Sequence, residues 1–126
     1  MRLLLDTHIL LWWQSDDPAL PARANMLIAA PANEIFASAI SLWEIAIKTH
    51  LGKLRAAVNE VCAAALDDGF EWLPFSVEHA LAVAQLPEHH RDPFDRALIA
   101  QARCGPLHLL THDSQLGASG EPVLLA

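Results

Sequence analysis

The sequence predicts a single α/β domain built on a mostly parallel sheet of four to five strands with helices on both faces. Three observations lead there. Short, wholly apolar runs such as Leu3-Leu4-Leu5 and Leu109-Leu110 alternate with segments of helical period, the pattern of a parallel sheet connected by crossover helices. The chain has 126 residues, 53% of them hydrophobic, which suits one compact core. Acids close two of the apolar runs, Asp6 and Asp113, and in open α/β sheets ligands bind at the carboxyl ends of the strands.

Taken in order, residues 2 to 5 read as a buried strand, and Thr7 as the N-cap of a short helix through Ile9, Leu10, Trp12 and Trp13. Asp16-Asp17-Pro18 ends it. A helix from about Ala22 to Ala30 precedes Pro31, and Glu34-Ile35-Phe36-Ala37 forms the second strand. The next helix begins after Ser38 or Ser41 and runs through Ile40, Trp43, Ile47 and Leu51 to Gly52. An alanine-rich helix from about Ala56 to Asp68 closes at Gly69, and Glu71 to Phe75 reads as the third strand. Ser76 caps a helix through Leu86, stopped by Pro87, and His89-His90-Arg91 forms a polar loop. Asp92-Pro93 opens a helix to about Cys104, ended by Gly105-Pro106. Leu107 to Leu110 is the fourth strand, and Pro122 to Leu125 supplies a short fifth.

The formal net charge of −7 argues against general adhesion to nucleic acid, which needs basic surface. It does not exclude a nuclease, because part of the excess is an acid cluster that a bound divalent metal would offset. No apolar run approaches the ~20 residues of a membrane span, and the opening Met1 to Asp6 is too short and too early charged for a secretion signal. A cytoplasmic protein is expected. Cys62 and Cys104 lack metal-type spacing and read as thiols in a reducing compartment.

Four acids carry the chemistry: Asp6, Glu44, Asp95 and Asp113. On a helical wheel of ~100° per residue, Asp95 falls among Phe94, Leu98, Ile99 and Ala102, while Arg96 and Arg103 point away, and Glu44 lies beside Ile40, Ile47 and Leu51. Each has a local explanation as well. Asp92 before Pro93 reads as an N-cap, with Asp95 at N3 near the positive end of the helix dipole. Ser41-Leu42-Trp43-Glu44 matches a capping box, and Glu44 with Lys48 makes an i,i+4 pair. Asp6 and Asp113 stand where turns begin.

Their joint placement goes further, because strands sharing one edge bring Asp6 and Asp113 together and the following helices carry Glu44 and Asp95 over the same edge. Two like charges ~4 Å apart repel by about 1 kcal/mol in water and about 4 kcal/mol at an effective dielectric near 20. A cluster of four therefore binds a cation or shifts its pKa values upward. All-oxygen ligation selects Mg²⁺ or Mn²⁺ over Zn²⁺, and such a site activates water against a phosphodiester. Thr7 and Thr111 can hold a carboxylate or a water from behind, although capping and strand propensity also explain them. Arg91, Arg96 and Lys48 are candidates for phosphate contacts, with solvated helix charge as the other reading. His8, His89, His90 and His112 lie near the acids without any HExxH or paired Cys/His spacing, and read as surface or hydrogen-bonding residues. Trp12, Trp13, Trp43 and Trp72 read as core or interface.

Leu3-Leu4-Leu5-Asp6-Thr7-His8, then Ser38-Ala39-Ile40-Ser41-Leu42-Trp43-Glu44-Ile45, then His90-Arg91-Asp92-Pro93-Phe94-Asp95-Arg96, and finally Leu110-Thr111-His112-Asp113 resemble, in order and spacing, the successive motifs of the PIN-domain nucleases. Within them the chain is similar to the VapC-type toxins of type II toxin–antitoxin pairs. The resemblance covers nearly the whole chain. It implies a PIN-like, Rossmann-like three-layer α/β/α sandwich and a Mg²⁺- or Mn²⁺-dependent endoribonuclease in which Asp6, Glu44, Asp95 and Asp113 hold the metal, with Asp92 a fifth candidate. It also implies homodimerisation and a cognate antitoxin docking on the helices between Ile47 and Leu66. Two alternatives come from other classes. A small phosphatase of the haloacid-dehalogenase kind also opens with a strand ending in aspartate, but it needs a second aspartate two positions later, where this chain has His8, and a lysine after a later strand, which is missing. A noncatalytic protein-interaction domain would use the acids only for caps and salt bridges.

Overall fold

The computed structural model describes residues 1–87, 91–118, 120 and 122–126. Among them five strands form one all-parallel sheet: β1 (Arg2–Leu5), β2 (Glu34–Ser38), β3 (Glu71–Leu73), β4 (His108–Thr111) and β5 (Val123–Leu125), in the order β3-β2-β1-β4-β5. β1 is central because it can be buried on both sides: Leu3, Leu4 and Leu5 are all 0% exposed. Side chains alternate across a strand, so Leu3 and Leu5 enter one core with Ile9, Leu10, Ile28, Ile45 and Val61. Leu4 enters another, with Phe36, Ile40, Leu98, Ile99 and Leu109. Two cores on opposite faces of one sheet make the expected three-layer sandwich.

The helices are α1 (Thr7–Gln14), α2 (Ala22–Ala29), α3 (Ala39–His50), α4 (Val58–Asp67), α5 (Val77–Val83), α6 (Pro93–Cys104) and a short α7 (Ser114–Gly117). Gly52 and Gly69, at φ +73° and +82°, take the left-handed conformation just past α3 and α4.

Several boundaries differ from the sequence reading. The N-cap of α1 is Asp6, which accepts the His8 N–H, and Thr7 is already helical. Ser38 caps α3, which puts Ser41 inside the helix and removes the capping box read at Ser41 and Glu44. Helix α5 ends at Val83 rather than Leu86, because the Arg96 guanidinium donates to the carbonyls of Val83, Leu86 and Pro87. β3 stops at Leu73, before Pro74, which has no N–H for the ladder. The loop read at His89-His90 lies outside the described residues.

From β1 the sheet grows through β2 and β3 on one side and through β4 and β5 on the other. The connection direction therefore reverses between β1 and β4, and the crevice beyond their carboxyl ends is the ligand position of an open α/β sheet. Asp6 and Asp113 stand at that crevice.

Candidate active site

A cavity of about 360 Å³ opens there, and its wall includes all five acids singled out in the sequence: Asp6, Glu44, Asp92, Asp95 and Asp113. Each arrives by a local rule. Asp6 leaves β1 and turns the chain into α1; its Oδ1 accepts the His8 N–H at 3.0 Å and its Oδ2 accepts the Thr111 hydroxyl at 2.5 Å. Asp113 does the same after β4, capping α7 by accepting the Gln115 N–H at 2.9 Å. Thr111 joins the two, because its Oγ1 also accepts the Asp113 N–H at 3.0 Å.

Glu44 and Asp95 come over the edge on helices. Glu44 is only 5% exposed. Its Oε1 lies 2.7 Å from the Thr7 Oγ1, which lies 2.8 Å from the Ser41 Oγ, and its Oε2 pairs with Lys48. A hydroxyl has a single proton, and the carboxylate is the acceptor that must be given one. Asp92 caps α6, accepting the Phe94 and Asp95 N–H groups at 2.8 and 3.3 Å. That cap sets the helix phase which turns Asp95 toward the cavity.

The electrostatics record the convergence. Burial pushes the Asp95 carboxyl up to about 7, and the charges of Asp92, Asp6, Glu44 and Asp113 add to the rise. Burial also raises Asp6, against the opposing hydrogen bonds from Thr111 and the His8 backbone. Lys48 is raised by its bond to Glu44. Among the described residues it is the one lysine or arginine on the cavity wall, and its Nζ also sits 6.0 Å from the centre of the Phe94 ring.

Thr7 and Thr111 are thus both buried behind the acids, holding Glu44 and Asp6. Lys48 faces the cavity; Arg96 does not, being engaged on the end of α5. Arg91 is exposed ahead of α6 and does not line the cavity. His8 and His112 line it, while His89 and His90 lie outside the described residues. Sequence reasoning missed Trp12, which stands in the cavity wall with its ring centre 5.8 Å from that of His8 and 6.1 Å from that of His112. The signal was present: His8 and Trp12 are four apart on α1 and share a face.

A wall carrying five carboxylates suits a hard divalent ion. Among the described residues no three acid, histidine or cysteine groups close on a common ion position as the side chains lie; Glu44 is paired with Lys48 and Asp6 with Thr111.

Comparisons with known proteins agree with this architecture. The family described as "PIN domain" matches residues 3–119. The chain is similar to "Ribonuclease VapC22" of Mycobacterium tuberculosis, at 28% identity over 131 residues, covering 95% of this chain and 93% of that protein. Among solved structures it is similar to VapBC2 from Rickettsia felis, crystallised with a promoter DNA fragment (TM-score 0.69, 18% identity, covering 100% and 98% of the two chains). It is also similar to a toxin–antitoxin complex from Klebsiella pneumoniae (TM-score 0.64, 24% identity, covering 97% and 95%).

Proposed function

Because the chain belongs to the PIN-domain family, we propose that it is a Mg²⁺- or Mn²⁺-dependent endoribonuclease acting as the toxin of a toxin–antitoxin pair. The observation that carries the reading is the gathering of Asp6, Glu44, Asp95 and Asp113, with Asp92, around one cavity at the switch point of the sheet. Among the described residues five carboxylates face one ammonium there, so the cavity calls for positive charge from outside. Asp6, Glu44, Asp95 and Asp113 would hold the ion, with Asp92 beside them. Once bound, a divalent ion supplies a water of lowered pKa and offsets the charge that builds on a phosphodiester.

The chain's own groups prepare that chemistry. Thr7 and Thr111 fix Glu44 and Asp6, so these carboxylates lose little freedom when they take up a ligand. Lys48 balances Glu44, and from the cavity wall its ammonium would be a charged donor for a phosphate oxygen. Substrate and partner follow the relatives, a ribonuclease and toxin–antitoxin complexes. The cognate antitoxin would cover the helices between Ile47 and Leu66, where both of the end residues Leu51 and Leu66 are 59% exposed. A second copy of the chain would cover the apolar groove lined by Trp43, Phe75, Ala80 and Val83, where Trp43 is 57% exposed.

The test is incubation of purified protein with RNA and Mn²⁺, with EDTA, and with the Asp95→Asn variant. Cleavage by wild type with metal alone is expected. Full cleavage in EDTA, or by the variant, overturns the mechanism. Growth arrest on expression, relieved by co-expressing a neighbouring open reading frame, tests the toxin role.

A further inference from the structure

Resting on the ribonuclease reading, we propose that Trp12 is the platform on which an unpaired nucleobase next to the cleaved phosphodiester stacks. Trp12 and His8 are shared by the acid cavity and by a second cleft of about 450 Å³ between α1 and α4. Trp12 is half-buried against the core and its remaining surface borders both hollows, so a nucleotide whose phosphate meets the carboxylates can lay its base against the indole on the cleft side. The indole is framed by His8, tilted at 53°, and by His112, edge-on at 66°. His112 is fixed in turn: its Nδ1 lies 2.7 Å from the Ala126 carbonyl oxygen, which only accepts, so Nδ1 carries the proton. The Ala126 N–H returns to the Thr111 carbonyl at 2.8 Å, which ties the aromatic frame to the same segment that holds Asp6 and Asp113.

The cleft's lining selects the kind of occupant. Leu11, Leu54, Ala56, Ala57 and Val61 give it apolar surface beside the uncharged Gln14 and Ser15, and Asp17 and Glu60 outnumber Arg55. That balance repels a phosphate backbone and accepts a flat uncharged ring. A base can reach it only when it is unstacked from its neighbours, so the geometry favours single-stranded loops over duplex RNA. Aromatic stacking is tolerant of sequence, because every base has a π-face.

The experiment measures binding in Mn²⁺ with Asp95→Asn added to each protein to suppress cleavage, and cleavage in Mn²⁺ with Asp95 intact. The RNAs are an unstructured oligonucleotide, the same oligonucleotide with an abasic nucleotide on either side of the cleaved bond, and its duplex. The proteins are wild type, Trp12→Phe and Trp12→Ala. One abasic position is expected to weaken wild-type binding by about five- to hundredfold, the range for loss of one base–aromatic stack, and to weaken Trp12→Ala hardly at all. RNA should also quench wild-type tryptophan emission more than it quenches Trp12→Phe, and Trp12→Phe should keep most of the affinity. Equal abasic penalties in wild type and Trp12→Ala, or equal quenching in wild type and Trp12→Phe, overturn the platform and leave the cleft to a protein side chain. If those appear with metal-dependent cleavage intact, the ribonuclease reading stands without the platform. If wild type neither binds nor cleaves RNA, both fall.

Discussion

Two polar clusters flank α3, and they treat their polar groups in opposite ways. Beneath its first turn, Ser38 and Gln101 are both 0% exposed and His79 is 8% exposed, yet each finds partners inside the chain. The Ser38 hydroxyl donates to the Gln101 Oε1 at 2.5 Å and accepts the Ile40 N–H, and the Gln101 Nε2 donates to the Pro74 carbonyl at 3.2 Å. His79 accepts the Ser76 N–H through Nδ1 at 3.0 Å, so that nitrogen carries no proton. One turn further on, Glu44 belongs to a group of five carboxylates facing one lysine. The neutral cluster closes on itself and fastens α3, α5 and α6 together. The charged one is left short of cations, and a local rule broken in a structure that otherwise obeys its rules marks where function lies.

The sharpest way to break this comparison is Asp95→Asn. It should lower RNA cleavage by on the order of 10²–10³-fold, the loss found when one preorganised group at developing charge is removed. In metal-free buffer near pH 8 the same change should raise the melting temperature, because it removes a charge that Asp92, Asp6, Glu44 and Asp113 all oppose. Lost activity with gained stability is the signature of a functional acid. A fall in both would place Asp95 with the structural groups.

Thr111→Val comes next. It deletes the hydroxyl shared by Asp6 and the Asp113 backbone, and groups in that supporting position typically contribute ~10–100-fold in metal affinity. Calorimetric titration with Mn²⁺ should show a loss in that range. Gln101→Leu sharpens the other side: it strands the Ser38 hydroxyl and the Pro74 carbonyl, at a cost of about 1–3 kcal/mol. Denaturant midpoints should fall accordingly, while activity per folded molecule holds.

The two clusters were not equally legible in the sequence. The acids announced themselves, because a carboxylate at the end of Leu3-Leu4-Leu5 or within the apolar arc of α6 violates the hydrophobic pattern, and the pattern is visible in one dimension. The strand and helix order was readable for the same reason, and α6 matches its predicted span because Asp92-Pro93 and Gly105 punctuate it. The neutral cluster stayed hidden. Ser38, His79 and Gln101 are ordinary residues whose partners lie 63 and 22 positions apart, and nothing local records such pairings. The choice between Ser38 and Ser41 as the α3 cap was likewise tertiary: Ser41 is drawn to Thr7, across from α1. Helix α7 is only four residues long, too short for any period to show. Arg96 looked like an outward charge by its wheel position, yet the unfinished carbonyls of α5 captured it.

The pH dependence of stability is the finest of these tests, and it reads the acid cluster alone. Asp95 has its carboxyl raised from 3.8 to about 7 in the folded protein, whereas the unfolded chain ionises it at the ordinary value. Between those limits the folded state holds the extra proton, so stability falls as pH rises and is recovered as pH is lowered through about 7 toward 4. Asp6, also raised by burial, acts in the same direction. The difference between wild type and Asp95→Asn isolates the Asp95 contribution. That difference, read as melting temperature from pH 8 to pH 5.5 in EDTA, should shrink steadily as pH falls, by a few degrees at about 4 °C per kcal/mol. With saturating Mg²⁺ the wild-type dependence should flatten or reverse, since an ion and a proton compete for the same oxygens. A difference that stays constant across the range would mean that Asp95 is ionised freely and that the acid cavity carries no deficit of positive charge.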